Sequence, residues 1–183
     1  VKILAISGSL REASNNTALL RALAEEAPEG VEFELWNDLR SIPPYDGDHD
    51  LEPGPEPVEA FRALVRDADA VFFATPEYNS SIPGALKNAL DWGSRPIATN
   101  AFRNKPVAVI GSSVGAFGGV WAAAELRKVL TTMGARVTEV DLSVSHAHEH
   151  LDENGALVND ETRQQLREAL ETLLAEVAPA VAA

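Results

Sequence analysis

The chain has 183 residues, a formal net charge of -13 and no cysteine. Its length suits one domain with a sizeable core, and its acidity excludes nucleic acid or an anionic membrane as partner, since both need a basic surface. The missing thiols exclude disulfides, thiolate metal sites and a cysteine nucleophile.

The chain opens directly into an apolar strand over residues 2–7 and carries no charged-then-apolar export signal there. No apolar run reaches the ~18 residues of a spanning helix. A cytoplasmic protein is the default expectation. The polar run Gly8-Ser-Leu-Arg-Glu-Ala-Ser-Asn-Asn16 follows, and then a helix over 16–27 with Leu19, Leu20, Leu23 and Ala27 on one face. The strand over 31–36 alternates, setting Val31, Phe33 and Leu35 against Glu32 and Glu34.

Residues 37–57 hold prolines at 43, 44, 53, 55 and 57 together with Asp46, Asp48 and Asp50, too much proline for a helix interior. This loop reads as a surface connection, a lid or an arm onto a neighbouring subunit. A helix over 58–67 and an apolar strand over 70–75 come next, followed by Pro76-Glu-Tyr-Asn-Ser-Ser-Ile-Pro-Gly84 and a helix over 84–93. The strand over 106–111 leads into Gly111-Ser-Ser-Val-Gly-Ala-Phe-Gly-Gly119 and a helix over 120–133, which Gly134 terminates. A mixed strand over 136–142 and a polar loop over 143–153 precede the last helix, over 160–177, whose Leu166, Leu170, Leu173, Leu174 and Val177 form one stripe.

Strands that alternate with helices of this length imply crossover units and a parallel sheet. The first, third and fourth strands are apolar on consecutive residues and so are covered on both faces. The second and fifth are half polar and belong at the edges. The expected fold is therefore α/β: a single-domain, three-layer sandwich with a five-stranded parallel sheet of order 2-1-3-4-5 and helices on both faces. That arrangement is flavodoxin-like, and its switch point lies between strands one and three. The two polar runs follow those strands.

The first run suits an anion. A glycine after the strand permits a tight turn, and the next backbone N–H groups converge at a helix N-terminus. Ser9 and Ser14 add hydroxyls, Asn16 an amide, and Arg11 a permanent cation able to make two parallel bonds to phosphate. The triphosphate-loop ending and the three-glycine dinucleotide fingerprint are both missing. Taken alone, the same run is also an ordinary turn with Ser14 or Asn15 as helix cap. In the second run Pro76 ends the strand, Glu77 to Ser80 expose peptide groups to a ring edge, and Tyr78 offers an aromatic face with a polar tip. Its bland alternative is a proline-capped turn before a core helix. The glycines of 111–119 allow close backbone approach to a ligand.

At these residues the chain resembles the NAD(P)H-dependent FMN reductase family, which includes quinone-, azo-dye- and chromate-reducing members on a flavodoxin-like fold. The resemblance rests on Gly-Ser-Leu-Arg-x-x-Ser-x-Asn at 8–16 and Pro-Glu-Tyr-Asn-x-Ser-x-Pro-Gly-x-Leu-Lys-Asn-Ala-x-Asp at 76–91. Shorter matches lie at Pro43-Pro44-Tyr45-Asp46, Lys105-Pro106-Val107, the 111–119 loop and Asp152-Glu153-Asn154-Gly155. It implies that Ser9, Arg11, Ser14 and Asn16 hold the FMN phosphate. It further implies that Pro76, Glu77, Tyr78 and Asn79 line the isoalloxazine, largely through backbone groups, and that Ser112 and Gly115 close its other side. A homodimer or homotetramer with flavin sites near the subunit interface is implied as well.

The activity so implied is hydride transfer from NADPH or NADH to FMN and on to a flavin, quinone or similar small acceptor. No catalytic acid, base or nucleophile is required, and Glu77 reads as a carboxylate oriented by its neighbours. A non-enzymatic flavodoxin-type carrier and a flavin-binding regulatory protein are the alternatives. His146, His148 and His150 alternate, but they lie in a polar loop without a completing carboxylate, so no metal site is expected. Trp36, Trp92 and Trp121 read as core or interface residues.

Overall fold

The computed structural model describes residues 1–177. Strands β1 (Lys2–Ser7), β2 (Glu32–Trp36), β3 (Ala70–Thr75) and β4 (Pro106–Ser112) are parallel and lie in the order β2-β1-β3-β4. Every residue of β3 and β4 is buried, as their unbroken apolar runs require, whereas β2 is only partly covered.

Period-two alternation divides the core into two layers. Leu4, Ile6, Val71, Phe73, Val107 and Val109 point to one face of the sheet; Ile3, Ala5, Phe72, Ala108 and Ile110 point to the other. The first face is covered by α2 (Glu56–Asp67), α3 (Gly84–Gly93) and α4 (Val120–Thr132), through Phe61, Trp92 and Leu126. The second is covered by α1 (Asn15–Glu25) and α5 (Asp160–Val177), through Leu19, Leu23, Leu166 and Leu170. Trp36 stacks on Phe61 with ring centroids 4.6 Å apart, and Trp92 is fully buried.

The last strand is interrupted. It forms as β5 (Arg136–Val137) and β6 (Leu142–Val144), both paired with β4. Val137 pairs with Val107 and Leu142 with Ile110, so the edge carries two more residues than β4 over this stretch. The guanidinium of Arg127, reaching from α4, donates to the carbonyl of Val109 at 3.2 Å and to that of Val140. It satisfies acceptors that the broken ladder leaves open. Burial lowers the Arg127 pKa from its ordinary value.

The proline-rich segment is fastened along its first half. Leu39 and Ile42 are buried in the core. Trp92 Nε1 and Asn88 Nδ2 donate to the carbonyl of Pro43 at 2.8 and 2.9 Å, and the Tyr45 amide donates to Asn88 Oδ1 at 2.8 Å. Arg62, itself buried, donates to the carbonyl of Trp92 at 2.9 Å and pairs with Glu59 at 2.6 Å and Asp50 at 3.4 Å. Proline removes backbone donors from this stretch, and side chains of α2 and α3 supply them instead.

Helices α1 and α5 are joined at Glu26, whose carboxylate accepts from Arg163 Nη1 at 2.7 Å and from Arg167 Nε at 2.6 Å. These hydrogen bonds lower the Glu26 pKa from the ordinary carboxylate range. A lowered folded-state pKa gives stability that is present above the unfolded value and lost as pH falls through the folded one. The stability difference between the parent and Glu26→Gln is therefore expected to hold steady near neutrality and to shrink in acid, as read by urea denaturation across pH. A difference that persists unchanged in strong acid would show that the clamp is not ionic.

Candidate active site

Three loops leave the carboxyl ends of β1, β3 and β4 and meet in one cleft. The first, after β1, is shaped by its own hydroxyls. The Ser9 amide donates to Ser7 Oγ and the Arg11 amide to Ser9 Oγ, each at 3.3 Å, while Thr17 Oγ1 donates to Ser7 Oγ at 2.8 Å. Ser14 is the N-cap of α1, its Oγ accepting from the Thr17 amide at 3.2 Å. A hydroxyl that accepts there still has its own proton to donate. Arg40, from the proline-rich segment, donates to the carbonyl of Leu10 at 2.8 Å and so holds one acceptor of this loop. The Arg11 side chain is exposed and has no hydrogen bond or ion pair among the described residues.

The second loop, after β3, is a tight two-residue turn. Tyr78 and Ser81 exchange backbone hydrogen bonds of 2.9 and 3.2 Å across Asn79 and Ser80, whose φ values are 53° and 60°. Two positive φ angles make a primed hairpin turn, in which asparagine is favoured. Pro83 is the N-cap of α3. The turn leaves Tyr78, Asn79 and Ser80 exposed at the mouth of the cleft.

The third loop folds back over β4. A Cβ on Gly111 would lie 2.7 Å from the carbonyl oxygens of Gly118 and Gly119, so only glycine fits beneath the loop. Gly119, the N-cap of α4, has a φ of 79° and no side chain with which to cap. The Glu77 carboxylate performs that task from the second loop: its Oε2 accepts from the Trp121 amide at 3.0 Å and the Ala122 amide at 3.1 Å. An anion at this position is also favoured by the α4 dipole.

The cleft, of about 130 Å³, is lined by Ser9, Arg11, Ser14, Asn16, Pro76, Glu77, Tyr78 and Ser112. Ser113 and Val114 line it as well, whereas Asn79 and Gly115 stand beyond its walls. Asn16 is buried, with Nδ2 donating to the carbonyl of Ser112 at 3.2 Å and tying α1 to β4. Its Oδ1 and the Ser112 Oγ are buried without any partner. Two orphaned polar atoms at one cleft fit a polar cofactor that would satisfy them. A larger hollow of about 470 Å³ lies between α1 and residues 148–157, but it does not include the β3 or β4 loops. The loops after β1, β3 and β4 meet at the smaller one.

His150 Nδ1 is 2.7 Å from the buried Thr162 Oγ1 at the start of α5, and the His146 and His148 rings lie 6.4 Å apart. No group of His, Asp or Glu side chains among the described residues could hold a metal ion.

Residues 1–149 match the family described as NADPH-dependent FMN reductase. An NAD(P)H-dependent FMN reductase of Pseudomonas aeruginosa is 40% identical over 174 residues, spanning 94% of this chain and 93% of its own length. The chain belongs to the NADPH-dependent FMN reductase family. A 2-hydroxy-1,4-benzoquinone reductase of Burkholderia is likewise 40% identical, over 91% of both chains. The solved structure of FerB, a flavoenzyme NAD(P)H:(acceptor) oxidoreductase from Paracoccus denitrificans, superposes with a TM-score of 0.87 at 31% identity, covering 97% of both chains. Membership makes the chain an NAD(P)H-dependent oxidoreductase, and FMN with NAD(P)H as co-substrate fits this family.

Sequence reasoning passed over Arg40 and the tie between Glu77 and α4. Arg40 sits in a loop remote from the first motif, with no periodic signal to pair them. The absence of a capping side chain at Gly119 was the available clue to the second. Gly111→Ala is expected to cost about 1–3 kcal/mol, because the new methyl group meets backbone and not a movable side chain. Urea denaturation measures it, and an unchanged midpoint would mean that the 113–119 loop stands clear of β4.

Proposed function

We propose that the chain is an FMN-dependent oxidoreductase that moves two electrons, as a hydride, from NADPH or NADH to a quinone or flavin acceptor. The observation that carries this reading is the meeting of the β1, β3 and β4 loops around buried Asn16 Oδ1 and Ser112 Oγ, both unpartnered. A phosphate would be held by Arg11, by the Ser9 and Ser14 hydroxyls and by the amides at the start of α1. Asn16 would brace that site, with its amide nitrogen already on Ser112. Backbone groups of Pro76, Glu77, Tyr78 and Asn79 would frame the ring edge, and Ser112, with the loop that includes Gly115, would close the opposite side.

FMN, when bound, supplies hydride acceptance from NAD(P)H and two-electron delivery to the second substrate. The protein's part is binding, orientation and exclusion of water. The cleft's one carboxylate, Glu77, is engaged by the α4 amides. Self-association as a homodimer or homotetramer belongs to the same reading. It is supported by the exposed Tyr78, Val114, Phe117 and Trp121 on the second and third loops and the start of α4, an unusual gathering of large apolar groups for so acidic a chain.

Reconstitution with FMN is expected to give a protein with bound-flavin absorbance that oxidises NADPH or NADH when a quinone is added. Absence of bound flavin after reconstitution would overturn the reading. Arg11→Ala is expected to raise the FMN dissociation constant by about tenfold or more, the scale of a charge-assisted pair lost from a partly exposed site. Flavin-fluorescence titration measures it, and unchanged affinity would remove Arg11 from the phosphate site.

A further inference from the structure

We propose that Glu77 is a positioning residue: its carboxylate clasps the second loop to the first turn of α4 and thereby fixes the spacing between the two walls of the ring site. The tie spans 44 residues to Trp121 and 45 to Ala122. It is made at the N2 and N3 amides of a helix whose N-cap, Gly119, has no side chain of its own.

The glycine is not free to be replaced by a capping serine or aspartate. Its φ is 79°, and a Cβ there would stand 3.2 Å from the Ser112 amide and 3.4 Å from the Thr75 carbonyl. The positive φ, which L side chains rarely adopt, and the close Ser112 amide therefore favour a bare cap, and the missing acceptor has to come from elsewhere. Glu77 supplies it while remaining part of the loop whose backbone faces the cleft. One residue thus joins the loop after β3 to the loop and helix after β4. The consequence for FMN affinity rests on the FMN reading above; the clasp itself does not.

Two variants separate the clasp from an acid–base role. Glu77→Gln keeps a side-chain oxygen of the same reach, and Glu77→Ala removes it. Hydrogen exchange on the flavin-free protein reads the clasp directly. The Trp121 and Ala122 amides are expected to stay protected in the parent and in Glu77→Gln, and to lose about tenfold or more of their protection in Glu77→Ala. In FMN titrations Glu77→Ala is expected to bind about tenfold more weakly, with Glu77→Gln within about threefold of the parent.

Equal protection of both amides in all three proteins would overturn the clasp. A Glu77→Gln protein that holds FMN like the parent but loses turnover and shifts its pH profile as Glu77→Ala does, the signature of proton transfer, would overturn the assignment of Glu77 as a positioning residue. If the parent takes up no FMN, the cofactor reading fails, and the exchange experiment still decides the clasp.

Discussion

The pairing of β1 with β3 is the constraint on which everything else hangs. Ile6 stands opposite Phe73 and Ser7 opposite Ala74, so the two strands end within one residue of each other. Thr75 in turn stands opposite Gly111 on β4. Strand ends this close deliver three loops to the same place, and the parallel direction delivers a helix N-terminus with each. The alternation of Leu4 and Ile6 against Ile3 and Ala5 fixes that register, because a slip of one residue would turn each layer's side chains into the other. The loops therefore meet because the core permits no other alignment.

Much of this was legible in the chain. The order of the strands followed from which of them are apolar on both faces; α3 begins and ends, and α5 begins, at the residues their patterns predict. These features are local: periodicity, caps and turn residues act within a few positions of one another. The features that escaped are those in which a side chain answers a backbone group far along the chain. Arg127 fills the break in the edge strand: residues 136–142 read as one strand, whereas pairing occurs at 136–137 and 142–144. Arg40 reaches Leu10, and Glu77 reaches α4. No spacing rule connects such pairs, and each becomes visible only once the sheet has brought its loops together.

The same habit runs through the cations. The chain has only fifteen Lys and Arg. Arg40, Arg62, Arg103, Lys105, Arg127, Arg136 and Arg163 all donate to main-chain carbonyls, in loops, at the ends of helices and at the break in the edge strand. Burial lowers the pKa of Lys105 and Arg127, as expected of positive charge drawn out of water. With nearly half the positive side chains committed in this way, carboxylates dominate what remains at the surface.

Against that background the electrostatics of the cleft are pointed. An anionic cofactor approaching a chain of net charge -13 meets a repulsive field. The lining holds one cation, Arg11, and one anion, Glu77. Arg11 is among the few basic side chains left without a partner among the described residues. The Glu77 charge is turned onto the amides of α4, where the helix dipole offsets it. Its capping contact therefore does two things at once: it holds the third loop in place, and it sets the Glu77 charge against the α4 dipole. The geometry of the loops and the charge of the site follow from the same pair of hydrogen bonds.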